Sequence, residues 1–560
     1  MSFHTPSHIT AIMITGNNHG IAEKSCCSIL FLYLEKINDA FSKINNYFYM
    51  IKPVRQKRLR LQKAALILGP VLSVLIILFA DLDPDNKKVT YTFAIALLMA
   101  LWWITEAVPL AATALLPVAL FPLLGIVDGK EVSSIYFNHM IFLFIGGFLM
   151  AFAMERWNLH RRIALKILIF FGVSPGRILM GFMLATAFLS MWMSNTATTM
   201  MMLPIALSII LKLEEDLGRE RAHRYSTGLL LSIAFSASVG GIATLVGTPP
   251  NLSFVRIASI IFPEMPEISF AEWFLFAMPI TFFLFIAAWL VLYFMYRPVE
   301  KWEKMDISGF KKEYALLGKP KPEEKIVLTL FVILAFLWIF REGFHIQSLN
   351  IPGWANLFNT PSYINDGTVA IFMALLLFVI PSKTEKDERL MNWETANKIP
   401  WGIVLLFGGG FALAQGFVES GLSIWFGEQL AGLAGLDPVT LTLANVTMMS
   451  VLTQLTSNVA TTEMILPILA GLSVTIKINP LLLMIPATLT ASLAFMLPVA
   501  TPPNAIVFGS NRIQIKEMVR AGILLNIAGI ILTTLFMFIW GTVVFDIDVT
   551  AFPAWAAGGN

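Results

Sequence analysis

The sequence predicts an all-α polytopic membrane protein of about eleven transmembrane helices and two re-entrant hairpins, built as an inverted repeat. Two observations carry that prediction. Hydrophobic residues make up 57% of the chain and charged residues only 13%, against roughly 25% charged in a soluble domain. The second is a duplication. Ser194-Asn195-Thr196-Ala197-Thr198-Thr199 returns as Ser457-Asn458-Val459-Ala460-Thr461-Thr462, an offset of 263 residues (457 − 194). Each copy has a second matched segment downstream, Gly247-Thr248-Pro249-Pro250-Asn251 in one half and Ala500-Thr501-Pro502-Pro503-Asn504 in the other.

Residues 1–60 differ from the rest and read as a cytoplasmic extension without a signal-peptide cleavage pattern. Cys26 and Cys27 are adjacent and are the only cysteines, so neither a disulfide framework nor a cysteine metal site is available. The formal net charge of +3 sits in loops and gives no reason to expect nucleic acid as a partner.

Apolar runs place spans near 64–82, 90–106, 108–126 and 139–158. The stretch 176–212 is too long for one span and polar at its centre, so it reads as a re-entrant hairpin. A long broken span at 228–260 and a span at 271–296 complete a first half, 61–296. A charged linker, 297–325, follows. The second half, 326–546, repeats the order: spans near 326–341, 367–382 and 400–418, a hairpin at 438–475, a broken span at 479–510, and a last span at 521–546. Residues 547–560 form a tail. Phe144-Ile145-Gly146-Gly147-Phe148 and Phe407-Gly408-Gly409-Gly410-Phe411 share the offset of 263.

Lysine and arginine give an independent orientation. Clusters at 55–63, 156–166, 212–224, 301–321, 383–389 and 512–520 all fall on one side of this scheme. Loops 261–270 and 419–436 on the other side carry neither residue. The positive-inside rule then places the N-terminus in the cytoplasm and the C-terminus outside, in a cell (inner) membrane. The first hairpin opens inward and the second outward, the arrangement of alternating-access carriers.

The motifs offer chemistry suited to ions. Ser194 and Ser457 stand where a half-helix begins, and a helix N-terminus favours an anion. Prolines 249–250 and 502–503 release backbone carbonyls. Those carbonyls, Ser/Thr hydroxyls and the asparagine oxygens form an all-oxygen environment for a hard cation. One Ser-Asn-Thr in a membrane helix is ordinarily a packing patch, and one Pro-Pro a kink. Duplication of both, at matched positions, points to a site instead. Among carboxylates in apolar stretches, Glu106, Glu155 and Glu419 fall at span ends and read as structural, as do His139 and His160. Glu463, five residues after Asn458, is the candidate if protons drive transport. No His/Asp/Glu constellation at ligand spacing supports an enzyme.

These paired motifs resemble those of the divalent anion–sodium symporter family, the Indy-type dicarboxylate and citrate carriers, over residues 60–546. The resemblance implies an elevator-type homodimer with scaffold and transport domains. It implies Na⁺ as the co-transported ion, no organic cofactor, and uptake of C4-dicarboxylates (succinate, fumarate, malate) or citrate. An exchanger, a proton-coupled carrier or a sulfate carrier of the same fold is the alternative. Carried over by position, one sodium site uses Ser190, Ser194, Asn195 and Gly247, and the other Thr453, Thr456, Asn458 and Ala500. Substrate carboxylates meet Asn195, Thr196, Thr248 and Pro249 on one side and Asn458, Val459, Thr501 and Pro502 on the other. Val459 departs from the pattern, since valine donates no hydrogen bond.

Overall fold

The computed structural model describes residues 59–172, 174–298, 308–346 and 349–557. The expected extension therefore lies outside the described residues, apart from its last two positions, and Cys26 and Cys27 lie outside them too. The chain divides into two units, residues 1–64 and 65–560.

Helices account for nearly all of the described structure. The first half begins with α1 (Leu59–Phe79), α2 (Lys87–Thr105), α3 (Leu110–Thr113), α4 (Leu116–Leu123) and α5 (Gly129–Ile135). It continues with α6 (His139–Arg156), α7 (Leu159–Phe171), α8 (Pro175–Ser190), α9 (Asn195–Leu217), α10 (Arg219–Gly241), α11 (Pro249–Ile261) and α12 (Phe270–Tyr296). The linker carries α13 (Ser308–Leu316). The second half holds α14 (Pro322–Ile339), α15 (Asp366–Val379), α16 (Trp393–Ala396), α17 (Trp401–Ser420), α18 (Leu422–Gln429), α19 (Pro438–Leu452), α20 (Asn458–Thr475), α21 (Leu481–Ala491) and α22 (Pro502–Phe508). It closes with α23 (Ile515–Phe536), a π-helical turn at Met537–Gly541, α24 (Thr542–Val544) and α25 (Ala554–Ala557). Among the described residues, eight helical segments are long and apolar enough to cross a membrane, and five shorter apolar segments accompany them. The chain is a multi-pass membrane protein.

Three features depart from the sequence reading. The span expected at 108–126 is two short helices, α3 and α4, because Pro109 and Pro117 start helices and cannot continue them. The interval between α14 and α15 contains a two-stranded antiparallel ribbon, Gly343–Ile346 against Leu349–Pro352, with Gly343 opposite Pro352. An amphipathic helix, α7, follows α6 and carries Arg161, Arg162 and Lys166. Arg162 is buried and forms an ion pair with Glu324. It also donates to Gly318 O at 3.0 Å and Leu317 O at 3.2 Å.

The glycines at the 263 offset let α6 pack closely on α15, and α17 on the turn that follows α3. A Cβ on Gly146 would stand 2.5 Å from the Ala370 Cβ on α15, and one on Gly409 2.5 Å from the Ala114 carbonyl oxygen. Only glycine lets the backbones approach that far. His160 behaves as a structural residue: it is buried, with Nδ1 3.1 Å from Met154 O.

Candidate functional site

Each Ser-Asn motif lies in the short non-helical turn of a helical hairpin. α8 ends at Ser190 and α9 begins at Asn195. α19 ends at Leu452 and α20 begins at Asn458. Ser194 has extended backbone (φ −62°, ψ 140°), and its hydroxyl accepts from Ala197 N at 3.1 Å. That is an N-cap, as the sequence suggested. Ser457 has the same backbone, but its side chain caps nothing. Ser194, Asn195, Thr196, Thr456, Ser457 and Asn458 are only partly buried, so the tips are not sealed into the helix packing.

The two halves repeat one hydrogen-bond pattern. Ser190 Oγ lies 2.6 Å from Asn195 Oδ1 and 2.8 Å from Ala237 O. Thr453 Oγ1 lies 2.8 Å from Asn458 Oδ1 and 2.5 Å from Ala491 O. A hydroxyl carries one hydrogen, so it can donate to only one of its two acceptors. Each half thus gathers three oxygens around one proton. Such a cluster is short of positive charge and suits a hard cation.

The loops between α10 and α11 and between α21 and α22 complete each neighbourhood. A Cβ on Gly241 would stand 2.6 Å from Asn195 Oδ1, and one on Gly247 2.5 Å from Gly241 O. Gly247, Gly241 and Asn195 are therefore packed in series. Thr248 and Thr501 are N-caps with extended backbone. Thr501 Oγ1 accepts from Asn504 N at 3.3 Å, whereas Thr248 Oγ1 lies 3.3 Å from Ser492 Oγ. Val459 is buried, in the first turn of α20.

One expectation about the prolines is corrected. Pro249 and Pro250 do not interrupt a helix. They open α11, and Pro502 and Pro503 open α22, where a missing N–H costs nothing. The non-helical segments lie before them, at 242–248 and 492–501. Asn251 and Asn504 behave alike in the two halves. Their side chains present amide N–H groups to loop carbonyls; neither oxygen has a hydrogen-bond partner among the described residues. Thr456 takes part in the hydrogen bonding of the second tip. Its hydroxyl lies 2.8 Å from Leu452 O and 2.5 Å from Thr461 Oγ1.

Two further residues hold the tips. Thr244 Oγ1 donates to Met191 O at 2.5 Å and accepts from Gly247 N at 3.0 Å, tying loop to tip in the first half. Gln454 does this in the second half, accepting from Met496 N at 3.0 Å and donating to Ser450 O at 3.0 Å. A polar residue inside an apolar break was the only signal available for either. Glu463 is fully buried. Ser253 donates to its Oε1 at 3.1 Å, and its Oε2 has no hydrogen-bond partner among the described residues. A Cβ on Gly410 would stand 2.2 Å from its carboxyl carbon, so α11, α17 and α20 meet at this group.

The model of the sodium:sulfate symporter transmembrane region matches residues 62–547. The chain belongs to the sodium:sulfate symporter family. Its likeness to the "Sodium-dependent dicarboxylate transporter SdcS" of Staphylococcus saprophyticus is 45% identity over 498 residues, covering 87% of this chain and 93% of the relative. The protein of the same name from Staphylococcus aureus strain MSSA476 is 45% identical over 494 residues. Two solved transporters share the fold. The Alcanivorax borkumensis YdaH transporter aligns with a TM-score of 0.50 at 14% identity, over 80% of this chain and 99% of its own. Neisseria gonorrhoeae MtrF aligns with a TM-score of 0.50 at 15% identity, over 75% of this chain and 85% of its own. The sodium:sulfate symporter family is the one that the duplicated motifs resembled.

Proposed function

We propose that this protein is a secondary carrier that couples Na⁺ entry to the uptake of a C4-dicarboxylate such as succinate, fumarate or malate, or of citrate. The observation that carries the reading is the pair of matching oxygen clusters, Ser190–Asn195–Ala237 and Thr453–Asn458–Ala491, each with one hydroxyl hydrogen for two acceptors. Near full-length relatives named as sodium-dependent dicarboxylate transporters support it.

In this reading the sodium ions take Ser190, Ser194, Asn195 and Gly247 in one half, and Thr453, Thr456, Asn458 and Ala500 in the other. The dianion lies between the tips, against Asn195, Thr196, Thr248 and Pro249 and against Asn458, Val459, Thr501 and Pro502. The first-turn amides of α9 and α20 lack intrahelical partners and face it. Near a cation at about 4 Å, with an effective dielectric of about 20, each ion pair supplies roughly 4 kcal/mol. Neither partner then binds well alone, which is the physical basis of coupling.

The ion pairs support the proposed grouping of the loops into two sides. Arg156–Glu388, Arg161–Glu313, Arg162–Glu324, His223–Glu517 and Arg512–Glu214 each join segments assigned to the cytoplasm. Arg341 joins Glu267 and Asp366 in segments assigned to the outside. The tail's Trp555 packs 5.4 Å from Phe262 on that same assigned side. An elevator-type homodimer with scaffold and transport domains is the assembly this reading favours.

Purified protein in liposomes tests the proposal. Labelled succinate uptake should require an inward sodium gradient and be inhibited by citrate. Uptake that ignores sodium and follows a proton gradient would overturn it. Loss of that activity in Glu463→Gln would then assign the coupling to the buried carboxyl.

A further inference from the structure

Asn251 and Asn504 stand in the first turns of α11 and α22, and both are fully buried. Each side chain reaches back across the non-helical loop before it. Asn251 Nδ2 donates to Thr244 O at 2.8 Å and lies 3.4 Å from Ile242 O and 3.5 Å from Gly241 O. Asn504 Nδ2 donates to Leu497 O and Ala494 O, both at 3.0 Å. Counted from each asparagine, the shared partners are the residues seven and ten earlier. The same clamp is built twice, in halves whose loop sequences otherwise differ.

An unwound loop inside a membrane frees carbonyls that no water satisfies. Most such carbonyls in a cation site would compete for the ion. Here each amide engages loop carbonyls with its two hydrogens and leaves the Gly247 and Ala500 carbonyls outside the clamp. In the first half the clamped Gly241 stands between Asn195 Oδ1 and Gly247. In the second, clamped Ala494 follows three residues after Ala491, whose carbonyl Thr453 reaches.

We infer that Asn251 and Asn504 are positioning residues of the two cation sites. Each amide fixes the loop so that a carbonyl outside the clamp, that of Gly247 or Ala500, faces the asparagine tip of its own half. This rests on the Na⁺-coupled reading above, and it assigns the asparagine N–H groups to the loop carbonyls.

The test measures the sodium concentration for half-maximal succinate uptake in proteoliposomes. Asn251→Ala and Asn504→Ala should each raise it by about tenfold, the cost of roughly one well-formed positioning contact. The succinate KM at saturating sodium should stay within about twofold, a split that general destabilisation would not produce. Asn251→Asp keeps the shape but loses the N–H groups, and it should shift sodium dependence in the same direction. Asn445 is the control: it is a buried asparagine that donates to Leu483 O at 2.8 Å, away from both loops. Asn445→Ala should lower the melting temperature without moving the sodium dependence. Unchanged sodium half-saturation in the folded Asn251 and Asn504 variants would overturn the inference, as would an equal shift in Asn445→Ala. Wild-type uptake indifferent to sodium would overturn the parent reading as well.

Discussion

The two hairpin tips share a hydrogen-bond scheme and differ in how it is supported. In the first, Ser194 caps α9 and Thr244 ties the neighbouring loop to Met191. In the second, Ser457 caps nothing, and Gln454 holds the loop through Met496 N. The triad of hydroxyl, asparagine oxygen and loop carbonyl is nevertheless the same in both. Supports that differ around a kept triad indicate that the oxygen cluster is what the duplication preserves. Any local device that holds the cluster in place suffices.

Four perturbations break or sharpen that comparison. The largest effect is expected at the shared element: Asn195→Ala or Asn458→Ala should each reduce sodium-driven uptake on the order of 100-fold, two or more contacts being lost at once. Full activity in either variant would remove that tip from the site. The supports come next. Thr244→Val and Gln454→Leu should each raise the sodium half-saturation about fivefold, the usual worth of one net hydrogen bond. Because the supports belong to different halves, the double variant should add the two effects in free energy.

Val459 marks the third difference, facing Thr196 across the repeat. Val459→Thr would add a hydroxyl to the second tip and should change the succinate-to-citrate uptake ratio by about fivefold. An unchanged ratio would mean that this position does not meet substrate. The smallest effect lies in the cytoplasm-assigned loops. The Arg156 guanidinium, 2.8 Å from Glu388, holds that carboxyl below its usual value of 4.5. A lowered folded-state pKa contributes stability above the unfolded value and loses it as pH falls through the folded one. The thermal stability gap between wild type and Arg156→Gln should therefore persist at neutral pH and close as the medium is acidified below about 4. A gap independent of pH would show that the Arg156 guanidinium lying over the Trp157 ring, 5.3 Å from its centroid, and not the Glu388 carboxylate, stabilises the contact.

Much of the architecture was legible because lipid imposes it. Apolar runs, positive clusters and a 263-residue duplication require no knowledge of contacts, since a bilayer selects length and polarity one segment at a time. The tip asparagines emerged from the same duplication, whereas Ser190 and Thr453 came from the family resemblance. Other features were invisible to spacing. Pro-Pro is equally compatible with a kink and a helix start, and the structure has the start. Thr244 reaches from loop to tip and Gln454 from tip to loop, so no alignment of the halves could pair them. The contact of Glu463 with Ser253 and Gly410 joins helices far apart in the chain.

By itself, then, the sequence determined the class of solvent, the duplication and the location of the polar breaks. Those follow from the one-dimensional distribution of apolar and polar residues. Only the tertiary structure decided the direction of each hydrogen bond: that Asn251 and Asn504 give protons to carbonyls seven and ten residues earlier, and that one hydroxyl serves two oxygens at each tip. An amide can donate or accept, and a hydroxyl can do both. Which they do is set by the partners that folding brings within 3 Å or so, and that is a property of three dimensions.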